Sequence, residues 1–345
     1  MMFYLLNILS GVLETGYMAW ALSAGYDLWV LLLFPFAYQL GNLFPKPFSV
    51  GKIPLMILAL AALSLSCALV VLNPSGMAAA GLVSFDVFAL SVIMQSVRST
   101  LKTDGNRAMK RITRILGFAV APVCIFIPYP MLILFSLILL TRVFGYKGKF
   151  SVVRMKDQKL FGSVMIFHQL HYFFYVYPCL AAIALILSGR YQGASGIFCS
   201  YFLFAVTWVT YMSVEIVMKK VLKERMSDEA LPVFYTGHSG IVILLLIMSL
   251  SDPADLWYIP LWIIMGFCGG TVFTIYIQAD KDDARDEDSM TVCENVGHIV
   301  GIFGALVLAF LYGNISVNIT LAMSSVSGLI AIILMTRTFL RSRHK

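Results

Sequence analysis

The sequence predicts an all-α integral membrane protein with about twelve transmembrane helices. Three observations predict it: the composition, the recurrence of long apolar segments, and the alternating charge of the segments between them. Hydrophobic residues make up 60% of the 345-residue chain and charged residues 12%, whereas soluble domains contain about 45–50% apolar and roughly 25% charged residues. No polar stretch is long enough to form a soluble domain, so we expect one multi-pass membrane domain.

Apolar segments of about the length that spans a bilayer, 17–25 residues, recur from end to end. Their limits, which are loose by several residues, are 2–23, 27–44, 51–72, 76–97, 112–128, 130–145, 159–187, 193–218, 232–250, 256–278, 290–312 and 316–336. The first segment starts without a basic leader, contains Glu14 and is followed directly by further apolar segments. We therefore expect it to remain as a helix rather than to be removed as a signal peptide.

The connecting segments alternate in charge. The basic set comprises 46–52, 98–111, 142–159, 219–229 and 337–345. The other set has Arg190 as its only basic residue. Because basic segments stay in the cytoplasm, both termini are predicted to be cytoplasmic, and the number of spans even. This asymmetry explains the net charge of +7 without a nucleic-acid partner. The acidic segment 280–288 does not change the orientation, since acidic residues count little.

The long basic segment 146–158 divides the chain into two predicted six-helix halves, 1–145 and 159–345. Shifting one half over the other by 180 residues aligns Arg114 with Glu294. It also aligns Gly117 with Gly297, each three residues after the charged residue. Charged residues and glycines at matching depth, combined with a six-plus-six topology, favour a parallel internal repeat of the kind that transporters use.

With these features the chain resembles the major facilitator superfamily, whose members have twelve helices in two halves and cytoplasmic termini. The glycine–acidic–basic signature that this family carries after helix 2 would fall at Gly41, Gly51 and Lys52, where the aspartate is missing. The antiporter pattern on helix 5 is represented only by Gly117 and Pro122. The resemblance implies a central cavity lined by spans 1, 4, 7 and 10, the first helices of each three-helix unit.

Ionisable groups inside a bilayer cost about 2.5–3.5 kcal/mol each on insertion scales, so each one needs a reason. Six lie well inside predicted spans: Glu14, Asp86, His168, His171, Glu294 and His298. Glu14 shares a helical face with Asn7, Ser10 and Tyr17, because these residues step by three, four and three. Such a polar face either packs against another helix or lines a water-filled cavity.

His168 and His171 share a face of span 7 with Tyr172 and Tyr175. The resemblance implies that this face converges with Glu14 on span 1 and Asp86 on span 4, while the glycines of 266–270 leave room for a ligand. The histidines could hydrogen-bond between helices or contact substrate or protons. Metal binding is the least favoured reading, since the pair supplies two ligands and zinc needs three or four. The cysteines form no CxxC pair, so no metal site is predicted.

Glu294 and His298 are four residues apart on span 11 and could share a proton. Arg114 occupies the matching position on span 5, where a salt bridge to Glu294 would form a gate between the halves. Alternatively, Arg114 extends to the lipid headgroups. Glu215 and His238 are expected to be structural.

These patterns predict a secondary active transporter of the cytoplasmic membrane, most simply a monomer, that moves a small amphipathic molecule. The predicted substrate-binding residues are Glu14, Tyr17, Asp86, His168, His171, Tyr172 and Tyr175. The predicted proton-coupling and gating residues are Glu14, Asp86, Arg114, Glu294 and His298. Export of a metabolite, a drug or a metal chelator fits this pattern. No P-loop is present, so we expect protons rather than ATP to drive transport, with no cofactor.

Two other classes of protein were weighed. A transporter-like sensor or scaffold without transport would explain the missing aspartate after span 2. An intramembrane protease is suggested by "GASG" at 193–196 and by His298. However, Ser195 opens span 8 from the outside, whereas His298 is reached from the cytoplasm. A nucleophile and its base must lie about 2.6–3.2 Å apart, so we expect no enzyme.

The predicted topology can be tested by labelling single cysteines in a cysteine-free variant. Cysteines replacing Ser75 and Asp252 should react with a membrane-impermeant thiol reagent added outside intact cells, because they lie in the neutral segments. Those replacing Ser99 and Gly148 should react only after the membrane is permeabilised. The reverse pattern would contradict the predicted orientation.

Overall fold

The structure is a computed structural model that describes residues 2–45, 48–101, 107–152, 159–222, 226–253, 255–271, 274–275 and 287–343. Its helices are α1 (Met2–Ser23), α2 (Leu28–Leu43), α3 (Lys52–Leu72), α4 (Gly76–Ser99), α5 (Arg107–Val120), α6 (Pro128–Phe144), α7 (Lys159–Tyr191), α8 (Ala194–Leu222), α9 (Met226–Ser249), α10 (Tyr258–Gly269), α11 (Glu287–Tyr312) and α12 (Ser316–Arg343). Two 3₁₀-helices, Ala121–Ile125 and Gly313–Ile315, follow α5 and α11.

Seven helical segments of the described residues are long and apolar enough to cross a membrane. One of them, Ser289–Thr338, runs through both α11 and α12. Three further helices, α2, α6 and α10, are apolar but shorter. The fold is therefore helical and suited to a membrane, as predicted, whereas the number of twelve crossings and the cytoplasmic termini stay predictions.

Parts of the predicted cytoplasmic loops lie outside the described residues. They are 46–47, 102–106, 153–158, 223–225 and 344–345 of the basic segments and 280–286 of the acidic segment.

The predicted span 112–128 differs from what the structure contains. α5 begins five residues earlier, at Arg107, and ends at Val120, where the chain continues as a 3₁₀-helix. Pro122 explains the end of α5, because proline has no N–H for the helical hydrogen bond and disfavours the α-conformation in the residue before it. The earlier start makes α5 a basic amphipathic helix, whose arginines become available to its neighbours.

The helix contacts recur six helices later in the chain. α1 packs on α5, α2 on α4 and α3 on α6; likewise α7 packs on α11, α8 on α10 and α9 on α12. The first six helices meet the last six mainly through α2 with α11 and α5 with α8. α7 also packs closely on α12, a pairing with little counterpart between α1 and α6.

Glycines allow the closest of these helix approaches. A Cβ at Gly117 of α5 would lie 2.3 Å from the Ile8 carbonyl oxygen of α1, and a Cβ at Gly11 would lie 2.7 Å from the Arg114 carbonyl oxygen. In the second set, a Cβ at Gly297 of α11 would lie 2.5 Å from the carbonyl oxygen of Ile166 on α7. Small residues are what bring helices together in lipid, where apolar burial gives little driving force.

A small antiparallel sheet joins the loops after α2 and α6. β1 (Phe48–Ser49) pairs with β2 (Ser151–Val152), and Lys52 Nζ donates a 2.6 Å hydrogen bond to the Phe144 carbonyl oxygen beside it. The sequence analysis did not predict these strands, since two-residue strands leave no periodic pattern.

Replacing Gly117 by Ala tests the α1–α5 contact. The new methyl group would meet the backbone of α1, and we expect a loss of about 1–3 kcal/mol in stability from overpacking, measured as a lower melting temperature in detergent. Gly81→Ala on α4 is the matched control, because a Cβ there has nothing within 4 Å. It should be neutral, or stabilising by up to about 1 kcal/mol through helix propensity. Equal effects of the two substitutions would contradict the close contact.

Candidate functional site

A cavity of about 300 Å³ lies among α1, α5, α7, α8 and α11. It contacts both the first six and the last six helices. Its charged and polar lining residues are Glu14, Arg111, Arg114, His168, Gln169, His171, Glu294 and His298, and its aromatic ones are Phe118, Tyr172, Phe173, Tyr175, Tyr177, Phe204, Trp208 and Tyr211. The lining therefore combines both signs of charge with aromatic surface.

Glu14 of α1 accepts hydrogen bonds from three side chains. Its Oε1 accepts hydrogen bonds from Gln39 Nε2 of α2 at 3.0 Å and from the Tyr177 hydroxyl of α7 at 2.5 Å. Its Oε2 accepts one from Arg114 Nη2 of α5 at 2.6 Å. The carboxylate is buried, with a side-chain exposure of 4%. A single charged group on α1 thus binds side chains from three other helices.

Arg114 corrects one prediction of the sequence analysis. The expected gate between Arg114 and Glu294 is not the ion pair found, since Arg114 binds Glu14 and stays within the first six helices. The prediction failed because α1 and α5 pack against each other through Gly11 and Gly117. That contact brings Arg114 next to the carboxylate of Glu14, which lies one helical turn beyond Gly11 on α1.

Among the residues that the structure describes, Arg111 of α5 and Glu215 of α8 form an ion pair that joins the two sets of helices. Glu215 is buried, whereas the Arg111 side chain is 44% exposed. The sequence pattern does not predict this pair, because Arg111 belongs to a basic connecting segment and Glu215 fits a structural role. The sequence does show a charged residue inside each helix, which could have indicated an ion pair. Whether the two residues meet, however, depends on the packing of α5 on α8.

His168 and His171 lie on the cavity wall, as predicted, together with Tyr172 and Tyr175. The structure adds His238 of α9, whose Nε2 lies 2.8 Å from His168 Nδ1, while His171 Nε2 lies 3.3 Å from the same atom. All three imidazoles are buried, with exposures of 6% or less.

Two predicted substrate-binding residues lie elsewhere. Asp86 does not line the cavity; it is fully buried, and its Oδ2 accepts a 2.6 Å hydrogen bond from Ser66 of α3, which also contacts Ser136 of α6. Tyr17 is also fully buried, and its hydroxyl donates to the Pro128 carbonyl oxygen at 3.1 Å. The expected convergence of Asp86 with Glu14 and the histidines is therefore not found, because α4 packs between α2 and α3.

His298 and Glu294 both line the cavity. His298 Nε2 lies 3.0 Å from Gln169 Oε1 of α7, and its ring packs on Phe173 with centroids 3.9 Å apart. The hydrogen bond described for this imidazole therefore joins α11 to α7. Sharing of a proton between Glu294 and His298 stays a prediction.

The glycines at 266–270 only partly leave the space that was expected of them. A Cβ at Gly266 would lie 2.5 Å from the Thr207 carbonyl oxygen, and one at Gly270 would lie 2.6 Å from that of Tyr211. Both glycines serve the packing of α10 on α8, while Gly269 lines the cavity.

The two ends of the bundle differ. At the end where α2 and α8 begin, Trp29 packs edge-on against Phe310 of α11 with centroids 5.6 Å apart, and Phe126 stacks on Phe198 of α8 at 6.1 Å. The Tyr201 hydroxyl of α8 also donates to the Thr15 carbonyl oxygen of α1 at 2.7 Å. The cavity lies on the other side of these contacts, toward the end where α1, α5, α7 and α11 begin.

Comparisons with known proteins support the fold. No protein-family model and no curated protein matches the chain in sequence. Among solved structures, a bacterial metal transporter matches with a TM-score of 0.59 at 11% identity, covering 98% of each chain. The human organic anion transporter MFSD10 (TETRAN) matches with a TM-score of 0.53 at 10% identity, covering 96% of this chain and 98% of that one.

Identities this low show the fold alone. Both similarities extend over nearly the full length of the chain, and MFSD10 belongs to the major facilitator superfamily. The resemblance seen in the sequence is therefore confirmed at the level of the fold: the chain shares its helical fold with these two solved transporters.

Proposed function

We propose that the protein is a secondary active transporter that moves a small amphipathic molecule through the cavity between its six-helix halves, 1–145 and 159–345. The observation that carries the proposal is a charged, aromatic cavity between two sets of helices whose contacts match. The fold that the chain shares with solved transporters supports it.

Alternating access follows from this arrangement by rocking of one half against the other. The interface between the halves consists mainly of two matched helix pairs, α2 with α11 and α5 with α8. In the state described, aromatic contacts close the end where α2 and α8 begin. Rocking would separate these contacts and open the cavity to that side.

Besides the hydrogen bond of Tyr201 with Thr15, two further polar contacts between the halves would have to change during this motion. The Tyr177 hydroxyl of α7 binds Glu14 of α1 near the centre, and Arg111 of α5 binds Glu215 of α8 nearer the end where α5 begins. We propose that the Arg111–Glu215 pair is the gate on that side, in place of the expected pair of Arg114 with Glu294.

Proton coupling is part of the proposal, with Glu14, Asp86, Glu294 and His298 as candidate carriers. Protonation of Glu14 would break its ion pair with Arg114 and weaken its hydrogen bond with Tyr177. The charge state of Glu14 would thereby be coupled to the contact between the two halves. Asp86 has no cationic partner among the described residues, so it could gain or lose a proton without breaking an ion pair.

The cavity supports an amphipathic substrate, because aromatic rings surround both carboxylates and guanidinium groups. The two solved transporters are named for different cargo, a metal and an organic anion, so the fold by itself does not select the charge of the substrate. We propose the cytoplasmic membrane as the location and a monomer as the working unit, with export as the direction.

Transport by the wild-type protein in liposomes with an imposed pH gradient tests the proposal against a sensor or scaffold. Two probes cover both signs of charge: ethidium, an aromatic cation, and carboxyfluorescein, an aromatic anion. We expect gradient-driven movement of one of them at a rate above that of protein-free liposomes. Movement of neither, with the protein correctly folded, would favour the sensor.

Glu14→Gln tests coupling through the carboxylate. The substitution keeps the size of the side chain but removes the charge, so gradient-driven transport should fall to the protein-free rate while probe exchange across symmetric membranes persists. Asp86→Asn is the comparison outside the cavity. Full gradient-driven transport in both variants would remove these two carboxyl groups as proton carriers.

A reversible cross-link tests the proposed gate. In a cysteine-free variant, Arg111→Cys with Glu215→Cys should stop transport when oxidised and recover it when reduced, because the disulfide holds the two halves together. The matched control is Ser49→Cys with Ser151→Cys, whose hydroxyl oxygens lie 2.8 Å apart in the small sheet between the loops. Its oxidation should leave transport intact. Unimpaired transport with the first cross-link fully formed would contradict the gate.

A further inference from the structure

Three buried histidines meet at the wall of the cavity: His168 and His171 of α7 and His238 of α9. We propose that they form a binding site for one divalent transition-metal ion of the zinc, cobalt or nickel class. The site goes beyond the proposed transport function, since it is a property of α7 and α9 alone and can be measured without transport.

The positions of the nitrogen atoms fit a common ion. One nitrogen from each ring lies within 4.8 Å of the other two. Zinc–imidazole bonds of about 2.0–2.1 Å in tetrahedral geometry place ligand nitrogens roughly 3.3–3.4 Å apart. His171 Nε2 and His168 Nδ1 already have this separation, at 3.3 Å. The 2.8 Å between His168 Nδ1 and His238 Nε2 would have to open by about 0.5 Å, a small rotation of one ring.

A hydrogen bond beside the cluster orients the ring of His238 for metal binding. His238 Nδ1 lies 3.2 Å from the Phe234 carbonyl oxygen, so it carries the proton and donates to that oxygen. The Nε2 lone pair of His238 then points into the cluster. Metal-binding histidines commonly donate their second N–H to a backbone carbonyl in this way, which fixes the tautomer and the ring orientation.

Hydrogen bonds within the cluster cannot satisfy every atom. His168 Nδ1 carries at most one proton, yet two other nitrogens approach it. If it donates to His238 Nε2, whose lone pair is free, it has no lone pair left for His171. In addition, His171 Nδ1 is buried without a hydrogen-bond partner among the described residues. A cation that accepts one lone pair from each ring would remove this conflict, because the three central nitrogens would then bind the ion instead of competing for one proton.

The donor set selects the class of ion. Three neutral imidazoles suit zinc, cobalt, nickel and copper, whereas magnesium and calcium need oxygen ligands. Three protein ligands also leave a fourth position. Because His168 and His171 line the cavity and His238 does not, that position would face the cavity. The sequence pattern of span 7 supplies two ligands and therefore predicts no metal site. His238 supplies the third ligand, 67 residues beyond His171 in the sequence.

Metal titration of the purified full-length protein tests the site. The protein is prepared in detergent with an affinity tag that contains no histidine. Isothermal titration with Zn²⁺ should give one site per chain, and Co²⁺ should give the intense visible absorption of a tetrahedral complex, which Zn²⁺ then displaces. Mg²⁺ should not compete. Zn²⁺ should also raise the melting temperature of the wild-type protein.

His168→Ala, His171→Ala and His238→Ala should each weaken Zn²⁺ binding by at least about 100-fold, since loss of a direct ligand exceeds the 10–100-fold cost of losing an outer partner. His298→Ala is the matched control: it removes a cavity imidazole outside the cluster and should leave the affinity unchanged.

Three results would overturn the proposal: no Zn²⁺ binding by the wild-type protein, binding that survives all three substitutions, or an octahedral Co²⁺ spectrum. If a variant fails to fold, X-ray absorption of the wild-type zinc complex decides the question, because it should show three imidazole nitrogens. Liposome transport is measured separately, so a failed metal site and a failed transporter give different results.

Discussion

The Glu14 carboxylate is the interaction on which the arrangement of the central helices depends. A charge at membrane depth must be paired, since removing the partner of a buried ion typically costs about 3–5 kcal/mol. Gln39, Arg114 and Tyr177 provide that pairing from three other helices. The positions of α2, α5 and α7 around α1 are therefore constrained by one group, and Tyr177 extends the constraint across the interface between the two sets of helices.

Close helix packing makes this pairing possible. Gly11 and Glu14 are one turn apart on α1, as are Arg114 and Gly117 on α5. Where the two glycines meet, the backbones approach so closely that no side chain fits between them. The charged residues one turn away are then held within hydrogen-bonding distance. The ion pair and the glycine contact are thus two parts of one α1–α5 interface.

The cavity brings two kinds of chemistry together. On one side is the network of Glu14 and Arg114, where charges are paired and each carboxylate oxygen has a partner. On the other side is the cluster of His168, His171 and His238, where three imidazoles approach one another without full satisfaction. A paired charge stabilises the arrangement of helices, whereas an under-satisfied cluster is suited to take up a ligand.

The sequence by itself determined the membrane fold, the depth of Glu14 and of the His168–His171 pair, and the glycines of α5 and α11. Hydropathy, helical period and residue depth are local properties, so they can be read from a single segment. The expectation that Glu14 and the two histidines line a cavity came from the resemblance to a transporter family, and the structure places them there; Asp86 and Tyr17, expected at the same cavity, lie elsewhere.

Only the tertiary structure decided which residues meet. In the structure, Arg114 pairs with Glu14 rather than with Glu294, and Arg111 pairs with Glu215. Asp86 lies outside the cavity, and His238 lies beside the histidine pair of α7. The physical reason is that lipid and protein interior are both apolar. The apolar faces of a membrane helix therefore do not reveal which side points inward, and the rotation of each helix is set by glycine contacts and polar pairs that form only when the helices pack.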